Sequence, residues 1–134
     1  MLIGNYHVPL YPSCFHEDAY HFQSQEALDL SRKLLEPLFV QYQFKLCFEN
    51  HVHKFKRSKP INGVVYIGDG SFGVDAVSKE CPPENRIDDA FLATEKFVDS
   101  NHYWLGMIYS NRIELSARSR HNGTEFDSTK IAFM

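Results

Sequence analysis

The chain has 134 residues, the size of one ordinary domain, and with 43% hydrophobic and 14% aromatic residues it carries ample material for a core. Its formal net charge of -3 and pI ≈ 6.1 exclude a global attraction to nucleic acid or to an anionic membrane, so either would have to be bound locally. Cys14, Cys47 and Cys81 are odd in number and widely spaced, which excludes a disulfide framework or zinc ribbon and points to reduced thiols in a cytoplasm.

The first residues, Met-Leu-Ile-Gly-Asn-Tyr-His, lack a basic region followed by a sustained apolar one. No later apolar run approaches the roughly 20 residues needed to span a bilayer. The expectation is a cytoplasmic protein. Leu2 to Leu10 predicts a short edge strand, since Pro9 and Pro12 cannot donate to a ladder. The stretch through His16, Glu17, Asp18 and His21 predicts a loop. Ser24 then offers a helix cap, and Ala27, Leu30 and Leu34, with Leu28 and Leu35, recur at helical spacing. Pro37 ends that helix near Glu36, with a proline-kinked helix reaching about Tyr42 as the competing reading.

From Phe39 the pattern changes to period two. Val40, Tyr42, Phe44, Leu46 and Phe48 alternate with Gln41, Gln43, Lys45, Cys47 and Glu49, which predicts a half-buried strand with a solvated polar face. Residues 53–60 form a polar connection. Ile61 to Gly68 predicts a strand, Asp69-Gly70 a hairpin turn, and Ser71 to Ser78 the returning strand. Asn85 can cap a second helix, with Ile87, Ala90, Phe91, Thr94, Phe97 and Val98 on one stripe. Tyr103–Tyr109 and Ile113–Ala117 predict a hairpin, Asn122-Gly123-Thr124 a turn, and Phe126–Phe133 a last strand. The order is β-α-β-β-β-α-β-β-β, and its short connections argue for an α+β fold, a mainly antiparallel sheet with two helices packed on it. The helix-plus-three-strands block repeats in pattern only, and residues 1–134 are expected to form a single globular domain.

Along the extended strand, Cys47, Glu49, His51 and His53 share a face with successive members about 6 to 7 Å apart. These are zinc-type donors, but a linear row cannot close a tetrahedron without another residue, and His7, His16, His21, His102 and His121 are available. The alternative is an ordinary solvated face. Lys54, Lys56, Arg57 and Lys59, interleaved with Phe55, suit a phosphate, a nucleic-acid backbone or an acidic partner, or form a lysine-rich turn that protects a strand edge. Gly68-Asp69-Gly70-Ser71-Phe72-Gly73 does not open a helix as a phosphate loop must.

For a partner surface the candidates are the acidic residues Glu17, Asp18, Glu26 and Asp29, then Glu84, Asp88 and Asp89, with Lys54, Lys56, Arg57 and Trp104. The absence of a recognisable nucleotide, metal or nucleophile motif favours a small non-catalytic protein-binding inhibitor without a cofactor. By analogy of class, that is an immunity or antitoxin-like protein neutralising a toxin through direct contact, with no role for membrane or nucleic acid. The alternative is a histidine-dependent hydrolase or ribonuclease, with or without a metal, around His51 and His53. A third possibility is a subunit that pairs through a strand edge.

Overall fold

The computed structural model describes residues 1–12, 25–51, 55–68, 92–95 and 101–133. Leu2–Tyr6 (β1) and Phe44–Glu49 (β2) lie side by side and parallel, so the chain between them must cross back over the sheet, and the helix Gln25–Gln41 (α1) lies within that connection. Lys56–Ser58 (β3) and Val65–Gly68 (β4) follow, and Leu92–Glu95 (β5) completes a five-stranded sheet ordered β1-β2-β4-β3-β5. Within it β2 pairs with β4 in parallel, while β3 runs antiparallel to both β4 and β5. His102–Ile108 (β6), Arg112–Ser119 (β7) and Glu125–Ala132 (β8) form a separate antiparallel sheet.

This is an α/β arrangement with a mixed sheet, and it corrects the expected α+β fold of two helices on an antiparallel sheet. The short link between β2 and β4 misleads because β3 intervenes. Asn62 and Gly63, with φ of 50° and 83°, make a two-residue reversal closed by Ile61 N to Val64 O at 2.8 Å and Val64 N to Ile61 O at 3.0 Å. That tight turn folds β4 back between β3 and β2, where it is necessarily parallel to β2.

Both faces of β2 are covered, as parallel strands require. On one side Cys47 packs with Leu10, Tyr11, Val64, Tyr66 and Phe39 of α1. On the other, Leu46, Val65 and Ile67 meet Ile113, Leu115 and Ile131 of the second sheet. The alternation that predicts a solvated polar face therefore belongs to a central strand between two layers.

The helix also differs from its expected end at Glu36. It passes through Pro37 to Gln41, and both Pro37 and Lys33, whose carbonyl loses its amide donor, are exposed to water. It closes with Tyr42 N on Leu38 O at 2.9 Å and Gln43 in the left-handed region. Val40 and Tyr42 are thus exposed end-of-helix residues instead of strand core. Leu28 and Phe39 face inward, whereas Leu30 and Leu34 are exposed.

Leu92–Glu95, expected inside a second helix, instead pairs with β3. The rest of that helix, the Asp69-Gly70 turn and the strand at 71–78 lie outside the described residues. Among the described residues there is one helix. That helix is not long and apolar enough to cross a membrane.

Phe55 joins the layers. It is 2% exposed and stacks on Trp104 at 5.4 Å between ring centres, with His102 and Phe126 meeting it edge-on at 5.5 and 5.0 Å. Arg57 adds a two-pronged contact to Asp127 of β8, at 2.7 and 3.2 Å.

Candidate active site

Because β1, β2 and β4 are parallel, their carboxyl ends lie at one edge of the sheet, the position at which open α/β sheets hold ligands. His7 follows β1, Asn50 and His51 follow β2, and Gly68 ends β4. Main-chain bonds lock the first two segments together. The His7 carbonyl accepts from the amides of His51 at 2.7 Å and Asn50 at 3.2 Å. The Asn50 side-chain amide donates to the Tyr6 carbonyl at 2.9 Å and to Asn5 Oδ1 at 2.8 Å.

These bonds bring two imidazoles together. His51 Nδ1 lies 2.7 Å from His7 Nε2, with the rings 4.7 Å apart between centres and inclined at 79°. Two neutral imidazoles at that distance share one proton, donated by one nitrogen to the lone pair of the other. The same two nitrogens can both offer lone pairs to a divalent cation when the donor ring carries its proton on its other nitrogen instead. A tetrahedral ion with ligands at ~2.0–2.1 Å separates two nitrogens by ~3.3 Å, so the rings would need to part by only about 0.6 Å. The two imidazole nitrogens are donors of the type zinc takes and would supply part of the three or four ligands it needs. Among the described residues, no group of three His, Cys, Asp or Glu side chains suited to a metal is present.

Glu49 and Lys56 form a buried hub beside this pair. The Glu49 carboxylate accepts from the Tyr6 hydroxyl at 2.7 Å and the Leu10 amide at 2.8 Å through Oε1, while Oε2 pairs with Lys56 Nζ. Burial, then the neighbouring Glu49 charge, drives the Tyr6 hydroxyl pKa far up. The Cys47 thiol is pushed up to about 12 by the same two causes in the same order. On the far side of the sheet, His102 Nε2 and Trp104 Nε1 both reach the Gly68 carbonyl at 3.3 Å, fastening the second sheet to the end of β4. Burial pulls the His102 pKa down, against the opposing effect of that carbonyl.

The sequence-derived candidates separate accordingly. His51 reaches the strand-end site, where it meets His7. Cys47 is wholly buried in the helix-side core, and Glu49 is turned into the hub with Lys56. Arg57 is engaged by Asp127, and Trp104 by Gly68 and Phe55. Glu26 and Asp29 are exposed on the first turns of α1, with Asp29 lying 3.9 Å from Arg32. His53, Lys54, Glu17, Asp18, Glu84, Asp88 and Asp89 lie outside the described residues. His7 is the residue whose pairing the sequence does not disclose. Its placement after the first strand is the available signal, and only a parallel β1–β2 pair turns that signal into proximity.

No family model matches the chain. Over 82 residues it is 33% identical to purple acid phosphatase 1 of Ipomoea batatas, covering 61% of this chain and 14% of that protein. Over 47 residues it is 38% identical to a purple acid phosphatase of Glycine max, covering 35% of this chain and 10% of that protein. The chain thus spans a small part of the curated relatives it matches.

Among solved structures, the purple acid phosphatase from yellow lupin (Lupinus luteus) seeds superposes with a TM-score of 0.77 at 19% identity, over 97% of this chain and 24% of that one. The anchor of the inner membrane complex of Plasmodium gives 0.67 at 15% identity, over 95% and 35%. The fold is therefore phosphoesterase-like. This likeness to phosphatases overturns the inhibitor, immunity and antitoxin reading and lends its toxin partner no support.

Proposed function

We propose that this chain carries part of a metal-dependent phosphoester hydrolase site, with His7 and His51 as two of its metal ligands. The observation that carries the reading is the 2.7 Å approach of His51 Nδ1 to His7 Nε2 at the carboxyl ends of two parallel strands. The phosphatase relatives supply the substrate class, a phosphoester. His53, two positions beyond His51 in the sequence, is the proposed third ligand.

When bound, the cation would supply Lewis-acid polarisation of a phosphoryl oxygen. The chain's own contribution is positional. Asn50 ties the His51 loop to the Tyr6 carbonyl, and the His7 carbonyl returns the contact to the His51 amide. His7 is exposed, which leaves that side of the pair open to an incoming ester. Holding both rings before the ion arrives lowers the ordering cost of binding.

The test is p-nitrophenyl phosphate hydrolysis by the purified protein, stripped of metal and then supplied with zinc, manganese or iron. Metal-dependent turnover is expected, with a loss of at least about 100-fold in His7→Ala and in His51→Ala, as removing one metal ligand should produce. Wild-type turnover in both variants, or turnover indifferent to metal, would refute the reading.

A further inference from the structure

The Glu49–Lys56 pair plays no direct part in the proposed chemistry, yet its contacts converge on the loop that carries His7. Both residues are 1% exposed. Glu49 accepts from Tyr6, immediately before His7, and from Leu10, three residues after it. Lys56 donates to the Tyr11 carbonyl as well as to Glu49. From α1, Arg32 Nε reaches the Leu10 carbonyl at 2.8 Å, and its guanidinium lies over the Tyr11 ring at 4.5 Å. The backbone is therefore gripped on both sides of His7 by groups rooted in β2, β3 and α1.

A buried ion pair is commonly no more stabilising than apolar residues of similar volume, so stability alone is a weak reason for this one. Its geometry supplies another. Glu49 is two residues before His51 on β2, so the carboxylate that grips the His7 loop is carried on the strand that delivers His51. The Glu49 carboxylate thus links the strand leading to His51 with the residues flanking His7.

We propose that Glu49 and Lys56 are positioning residues that set the His7–His51 separation and, resting on the metal-site reading above, tune the affinity of that pair for a divalent cation. Groups just behind metal ligands characteristically change affinity by about 10- to 100-fold when removed.

The experiment uses the purified protein and the double variant Glu49→Gln/Lys56→Met, which removes both charges together and so avoids stranding either. Ile67→Ala, equally buried in the same sheet but packed towards the second sheet, is the control for general destabilisation. Zinc affinity is measured by chelator competition well below each unfolding temperature. The imidazole nitrogen resonances of His7 and His51 are recorded without metal.

The double variant should bind zinc about 10- to 100-fold more weakly and lose the resonance pattern of a hydrogen-bonded imidazole pair. Ile67→Ala should retain both properties. A double variant that keeps the wild-type affinity and imidazole pattern overturns the proposal, as does an Ile67→Ala protein that loses them equally. If the wild type binds no zinc, the metal-site reading fails, and the imidazole resonances alone decide whether the hub positions the pair.

Discussion

Replacing Lys56 by Met leaves the Glu49 carboxylate in a site that is 1% exposed, with the Tyr6 hydroxyl and Leu10 amide still bonded to one oxygen and the other without its cation. Stranding one member of a buried ion pair costs about 3–5 kcal/mol, far more than the pair contributes relative to apolar residues. With a urea dependence of ~2 kcal/mol per molar, the unfolding midpoint should fall by about 1.5–2.5 M. Trp104, the single tryptophan, is half-buried between Phe55 and the Gly68 carbonyl, so its fluorescence follows separation of the two sheets. Adding Glu49→Gln should return most of the loss, giving a coupling of at least about 2 kcal/mol between the two positions. A Lys56→Met protein destabilised by less than ~1 kcal/mol, or a strictly additive cycle, would refute the buried-pair reasoning.

Three further outcomes follow from packing and titration. A Cβ added at Gly4 would sit 2.7 Å from Cys47 Sγ, so Gly4→Ala should cost about 1–3 kcal/mol in urea unfolding, and Cys47→Ala in the same chain should recover part of it. His102 has its folded pKa below the usual 6.5, so the unfolded chain takes up a proton that the folded chain refuses. Its effect is absent above ~6.5, and stability falls as pH drops from there to the folded pKa, by at most ~1.4 kcal/mol per unit. That slope should flatten in His102→Gln. Cys47, wholly buried and with its pKa pushed up to about 12, should resist a thiol reagent at pH 8 until the protein unfolds. The measurement needs Cys14→Ser and Cys81→Ser, and rapid labelling of the native protein would contradict the burial.

The parts legible in the sequence are those governed by neighbours in the chain. The β6–β7 hairpin and β8 follow from local alternation and turns, and β1 from an apolar run ended by prolines. The strand at Phe44–Glu49 is also legible, but not its surroundings, because Lys45, Cys47 and Glu49 look the same on a solvated face and in a core that supplies Tyr6, Leu10 and Lys56 as partners. Leu92–Glu95 shows the opposite failure: a helical stripe yields to a pairing with β3 that no local pattern announces. The candidate site depends on long-range parallel pairing. His51 is marked by its position after β2, whereas His7, distant in the chain, becomes its neighbour only when β1 lies parallel to β2.

The most direct test of the account is zinc binding by equilibrium dialysis of the metal-stripped protein at pH 7.5, beside His7→Ala and His51→Ala. The account predicts stoichiometric binding by the wild type and at least about a 100-fold loss of affinity in each variant, because each removes one nitrogen of the pair. Wild-type protein that binds no zinc, or variants that bind it as tightly as the wild type, would contradict the claim that these two imidazoles form a metal site.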